Sequence, residues 1–228
     1  NDRGCIFPQR AAVWMGADVF VQRMGFTVQE KSAQCVRVQY RFGVPGVPGA
    51  QVEMIYTVEA QGALRLDAVY HGVPGAPELP CFGIKFETAA PVVRTRWTGL
   101  SGETYPDRCK GGVFGCHEEP PHIEPALVPQ DCGLHMDTQQ VNLQLADGKT
   151  LTLESTGEAF AFSALPNTAQ QIEAAQHPCE LPETGRTCVT VLGAARGVGG
   201  IDSWGTDVEA PYHVNGEQQH SVSLRILL

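Results

Sequence analysis

Apolar residues recur at every second position through most of this chain, and that restricts it to sheet. Val36, Val38, Tyr40 and Phe42 alternate with Arg37, Gln39 and Arg41. Val52, Met54, Tyr56 and Val58 alternate with Glu53, Ile55 and Thr57, and Leu64, Leu66, Ala68 and Tyr70 with Arg65, Asp67 and Val69. Successive side chains of a strand point to opposite faces, so a period of two describes a strand with one apolar and one polar face. Short turns join these three segments, which predicts antiparallel neighbours. Later, Val141, Leu143 and Leu145 run into Asp147-Gly148, a hairpin turn signal, and Leu151 and Leu153 return. Phe160–Phe162, Cys188–Leu192 and the alternating Val222, Leu224, Ile226 and Leu228 read as further strands. The expectation is an all-β chain with large antiparallel sheets packed face to face.

Helix is scarce. Thr168 and Gln171 have the spacing of a capping box, and they predict one short helix to Ala175, ended by His177-Pro178. A second short helix is expected within residues 10–24. Residues 99–135 and 193–207 read as neither strand nor helix, and loops this long in a compact fold usually carry function. No linker or internal repeat divides residues 1–228, so a single domain is expected.

Composition excludes several classes. Apolar residues make up 43% of 228, too many for a disordered chain. A net charge of -9 argues against nucleic acid, whose phosphates require clustered Lys and Arg. No apolar run approaches the roughly 18 residues of a membrane helix, and no secretory leader is recognisable. The eight cysteines at 5, 35, 81, 109, 116, 132, 179 and 188 are irregularly spaced and include no Cys-x-x-Cys. A chain this long folds without disulfide staples, so reduced thiols and a cytoplasmic setting are expected, with a disulfide framework as the alternative. Cys35 and Cys188 fall in strand segments, as small hydrophobes do.

Two motifs carry the chemistry. Gly197 to Trp204 reads Gly-Val-Gly-Gly-Ile-Asp-Ser-Trp. Its glycines permit sharp turns, and Asp202 and Ser203 are placed to fix the loop by local hydrogen bonds. Trp204 then either presents its broad face to the apolar side of a sugar or plugs the end of the sandwich. No Gly-Lys-Ser/Thr follows, so the loop is not a phosphate cradle. Glu103-Thr104-Tyr105-Pro106-Asp107-Arg108 sits in the other long loop and supplies carboxylates and a guanidinium, read as a loop pinned by ion pairing rather than as a catalytic group. Cys109, Cys116, His117, His122, Cys132 and His135 could suggest zinc, but their spacing fits no standard zinc pattern, and no metal site is expected. Glu103, Asp107, Glu118 and Glu119 are carboxylates of the type a glycosidase pairs, and nothing in their spacing pairs them.

These runs together resemble one family. Asn1-Asp2-Arg3-Gly4, with Trp14 beyond it, is similar to the Asp-Asn-Asp-Arg-Gly run near the start of the small chain of bacterial β-galactosidases of glycoside hydrolase family 2. Glu103–Arg108 resembles the family's Glu-Asn-Tyr-Pro-Asp-Arg. Pro129-Gln130 with Gly133 and Asp137 resembles the stretch that follows it, and Gly197–Trp204 resembles Gly-Val-Gly-Gly-Asp-Asp-Ser-Trp. The order holds over nearly the whole chain. Three departures stand out: Ile201 for an acidic residue, Thr104 for Asn, and a His135–Gln140 stretch without the usual Arg and Trp. They leave the sugar preference open.

The resemblance implies a β-supersandwich of the galactose mutarotase-like kind. It implies a place as the C-terminal domain (domain 5) or small subunit of an enzyme that hydrolyses terminal β-D-galactosides such as lactose. The catalytic glutamates would lie on a separate barrel domain or large subunit, so this chain alone would be inactive. Trp204, with Asp202 and Ser203, would complete the sugar site, and Glu103, Tyr105, Asp107, Arg108, Gly199 and Gly200 would support the loop. The implied Mg and Na ions would sit on other domains, leaving no cofactor here. The partners would be a β-galactoside, the catalytic domain and possible further copies, but no membrane or nucleic acid. The truncated first motif implies an excised domain or a processed subunit. The alternatives are a sugar 1-epimerase, using His122, His135 or His213 with Glu103, and a plain sugar-binding module.

Overall fold

The computed structural model describes residues 6–228; the Asn1–Gly4 motif lies outside them. Thirteen strands are described: β1 Gln22–Lys31, β2 Cys35–Gly43, β3 Gln51–Glu59, β4 Leu64–Tyr70, β5 Cys81–Glu87, β6 Val92–Leu100, β7 Phe114–Glu119, β8 His135–Thr138, β9 Gln140–Leu145, β10 Thr150–Ser155, β11 Phe160–Leu165, β12 Cys188–Ala195 and β13 His220–Leu227. They form a nine-stranded sheet in the order β1-β2-β3-β4-β13-β10-β9-β6-β7 and a four-stranded sheet in the order β5-β12-β11-β8. Every pairing is antiparallel. This is the two-sheet β-sandwich the alternation predicts.

The register shows how that alternation makes a core. Tyr56 faces Leu66, and Leu66 faces Leu224 across successive strands, so one apolar row runs across the large sheet. Leu66, Leu143, Leu153 and Leu224 of this sheet pack against Ile84, Phe160, Phe162, Val189 and Val191 of the small one. All six residues of β11 are buried, so no alternation marks that strand. Phe160, Phe162 and Ala164 meet the large sheet, while Leu165 packs with Cys132 and Ile172 on the other side. Ile172 belongs to α3, Ala169–Ala174, whose Thr168–Gln171 capping box is formed as read from the sequence.

The short helix expected within residues 10–24 forms at Ala17–Phe20. Two four-residue helices, α1 Phe7–Arg10 and α2 Ala17–Phe20, flank a 3-10 turn at Ala12–Trp14, and β1 has already begun at Gln22. Gly16, at φ 73°, breaks the helical run. Residues 99–135 are not wholly irregular, because β7 crosses them as an edge strand paired to β6. Likewise β12 continues to Ala195. Cys188 is buried as a small hydrophobe, whereas Cys35 is half-exposed. No helix among the described residues is long and apolar enough to cross a membrane.

Candidate functional site

The two motif loops meet at one end of the sandwich. Cys81 pairs with Ala195, so the segment entering β5 and the segment leaving β12 emerge side by side. Gly197 follows at once, and the Asp107 side chain, only 5% exposed, lies against it. One Asp107 carboxylate oxygen accepts from the Val198 N–H at 2.9 Å, and the other from the Gly199 N–H at 2.9 Å. Arg108 donates to the Gly199 carbonyl and, at 3.0 Å, to the Asp107 carbonyl. A Cβ at position 197 would come within 2.8 Å of the Asp107 carboxyl carbon, which explains the glycine there. Gly199 and Gly200 both take positive φ, 67° and 74°, where a side chain would be strained.

The tip of the loop folds on Asp202. Its carboxylate accepts from the Trp204 N–H at 2.8 Å, the Thr206 N–H at 3.2 Å and the Thr206 hydroxyl at 2.5 Å. The Thr206 hydroxyl, followed by these backbone donors, holds the Asp202 carboxyl below its ordinary pKa. Ser203 is exposed, and among the described residues its hydroxyl makes no hydrogen bond, so Asp202 alone supplies the expected side-chain support. Trp204 is 88% exposed, whereas Trp97 is 2% exposed in the core and Trp14 is half-buried. The indole therefore does not plug the sandwich.

The rest of the Glu103–Arg108 run ties the neighbouring loop down. A Glu103 carboxylate oxygen accepts from the Gly133 N–H at 2.5 Å. Thr104 is buried; its N–H donates to Leu134 and its hydroxyl accepts from the Met136 N–H at 2.8 Å. Tyr105 inserts a phenol whose oxygen is buried without a hydrogen-bond partner among the described residues. Burial, and then the neighbouring Asp131 and Glu103, push its pKa up.

Sequence reasoning missed a charged frame behind the loop. Arg196, 2% exposed, donates to Glu78 at 2.8 Å and to Asp207, and its guanidinium lies 3.9 Å above the Phe7 ring. Arg10 reaches the other oxygen of Asp207 at 2.7 Å, and His213 reaches Glu78 at 2.6 Å. The frame joins both ends of the Trp204 loop to the turn before β5 and to α1. Its one local signal is an arginine directly after the apolar end of β12; the partners at 10, 78, 207 and 213 are distant in sequence.

Other candidates are scattered. Among the described residues, no three His, Cys, Asp or Glu side chains converge on a common point. Cys116 accepts from Arg96, His117 lies tilted against Trp97, and His122 pairs with Glu124. His135 is buried between Trp97 and Phe162, with Glu119 3.1 Å away. Burial holds its pKa below the ordinary value despite that carboxylate. Among the described residues, Glu103 makes no direct hydrogen bond to His122, His135 or His213, each of which has other partners.

The fold and the loop pair define an all-β chain that presents one exposed tryptophan from a braced glycine loop. The family described as β-galactosidase small chain matches residues 1–226. The chain belongs to that family. It is 39% identical to the β-galactosidase small subunit of Latilactobacillus sakei, covering 99% of this chain and 80% of that one. It is 31% identical to a β-galactosidase of Streptococcus thermophilus, covering 99% of this chain but 22% of that one. Among solved structures, a putative aldose 1-epimerase of Escherichia coli K12 matches 88% of this chain and 67% of its own, at a TM-score of 0.44 and 12% identity.

Proposed function

We propose that this chain completes the sugar site of a β-galactosidase acting on terminal β-D-galactosides such as lactose, with Trp204 as the face against which the sugar packs. The observation that carries this reading is an 88% exposed indole on a loop held by Asp107 at its base and Asp202 at its tip. A large aromatic left in water and fixed from behind is pre-organised for a ligand or partner. Hydrolysis would be performed by carboxylates of the larger polypeptide. The acidic residues available here are engaged elsewhere: Asp107 with backbone, Glu103 with Gly133, Glu118 with Arg94 and Glu119 with His135. Any catalytic metal would also be held by that larger polypeptide.

The test is hydrolysis of a chromogenic β-galactoside by the purified chain alone and mixed with the larger β-galactosidase polypeptide that carries the catalytic carboxylates. Turnover is expected only in the mixture. Trp204→Ala should lower kcat/KM roughly seventyfold, the equivalent of about 100 Å² of lost apolar contact at about 25 cal/mol/Å². Turnover by the chain alone, or accelerated interconversion of free α- and β-galactose, would refute the reading.

A further inference from the structure

The apolar face of the large sheet does not end where the small sheet stops covering it. Across β4 and β13 the row is buried, with Leu66 5%, Ala68 3% and Leu224 0% exposed. The same row continues through β3 and β2 to β1, because Val58 pairs with Val36 and Tyr40 with Phe26 on one face. There it lies open: Phe26 is 60% exposed, Val28 51%, Val58 51% and Val36 38%. Tyr40 stacks with Phe26 at 5.7 Å and with Phe42 at 6.2 Å, making a fixed aromatic ladder in the middle of the open area.

We propose that this open face of β1–β3 is where the larger polypeptide of a β-galactosidase packs against the chain; the inference rests on the function proposed above. Folded monomers rarely leave a contiguous apolar face of this kind in water, and aromatic side chains are what buried interface centres are enriched in. The size relations of the relatives point to the occupant. In the Streptococcus thermophilus protein the matched region is 22% of the chain, so nearly four-fifths lies beyond it, while the Latilactobacillus sakei protein is a small subunit of which the match covers 80%. A unit that occurs both joined and separate needs a non-covalent seat of about 1,200–2,000 Å² to hold its larger partner. A second copy of this chain is disfavoured by its charge of -9. Addition of a strand at the free edge is disfavoured too. β1 carries two bulges in its pairing with β2, and it places Arg23, Glu30 and Lys31 along that edge.

The experiment measures binding of the full chain to the larger β-galactosidase polypeptide, by titration calorimetry, together with hydrolysis in the mixture. Phe26→Lys/Val58→Lys should weaken binding at least a hundredfold with an unchanged circular dichroism spectrum, whereas Trp204→Ala should bind normally with kcat/KM lowered as above. Binding by the double variant within threefold of the wild type overturns the inference while leaving the proposed function standing. Absence of both complex and hydrolysis with the wild-type chain overturns the proposed function, and the inference with it. If the double variant unfolds, a photo-crosslinking benzoylphenylalanine at position 58 of the otherwise wild-type chain decides. A cross-link to the large subunit supports the surface, and a cross-link to a second copy, or none, overturns it.

Discussion

One row of apolar side chains crosses the nine-stranded sheet, and its two halves meet different fates. From β4 to β9 it is roofed by the small sheet, with Leu143, Leu153 and Leu224 fully buried; across β3 the cover thins, Met54 and Tyr56 being half-buried, and toward β1 it opens, with Val58 and Phe26 more than half exposed. The tryptophans repeat the contrast. Trp97 sits in the roofed half with its indole N–H donating to Leu100 at 2.9 Å, while Trp204 stands in water on a loop with no strand of its own. The same residue chemistry serves stability where a second layer covers it and remains available for binding where none does. Roofed residues should therefore govern the stability of the isolated chain, and open residues should govern what it binds.

The largest expected effect is in the roof. Leu153→Ala should cost about 2–5 kcal/mol by urea denaturation, from lost transfer energy plus a cavity. Val58→Ala, on the open half of the same row, should change stability by less than about 1 kcal/mol. Equal losses would break the distinction. Asp107→Asn comes next, because it sets an amide N–H₂ against one of two backbone donors. A loss of about 1–3 kcal/mol is expected, with faster hydrogen exchange at the Val198 and Gly199 amides. Unchanged exchange there would show that Asp107 does not brace the loop.

Protonation sharpens the comparison further. His135 lies under the roof, and burial depresses its pKa, so the unfolded chain binds the extra proton more readily. Its contribution is intact above the unfolded value of about 6.5 and is lost as pH falls below it. His135→Gln should flatten the stability–pH slope between about pH 6.5 and 5; an unchanged slope would assign it to other groups. The smallest effect belongs to Asp202 in the open loop. Its depressed pKa means that its hold on Trp204 is present above about pH 3.8 and fails as pH falls below that. Trp204 emission should shift in that window in the wild type but not in Asp202→Asn, with no change in the cooperative unfolding transition.

Much of the sheet was legible because alternation is a local property. β2, β3, β4, β9, β10 and β13 each carry it, and the Thr168–Gln171 cap lies within four residues. β1 was not read: its alternation is confined to Met24, Phe26 and Val28, and bulges at Arg23/Gly25 and Val28/Glu30 interrupt the period on either side. β8 has four residues, and β7 lies among glycines and histidines that read as loop. In the site, the glycine run, Asp202 and Trp204 were legible. The partnership of Asp107 with Val198 and Gly199 spans about ninety residues, and Arg196 binds Glu78 across 118.

The sequence by itself determined the all-β class, the alternating apolar positions of several strands and the family resemblance, because strand periodicity and short motifs are written in neighbouring residues. Only the tertiary structure decided which half of the apolar row is roofed, that Trp204 faces water, and that Asp107 and Arg196 brace its loop. Burial and long-range hydrogen bonding depend on which strands the chain lays over one another, and no local pattern of residues encodes that.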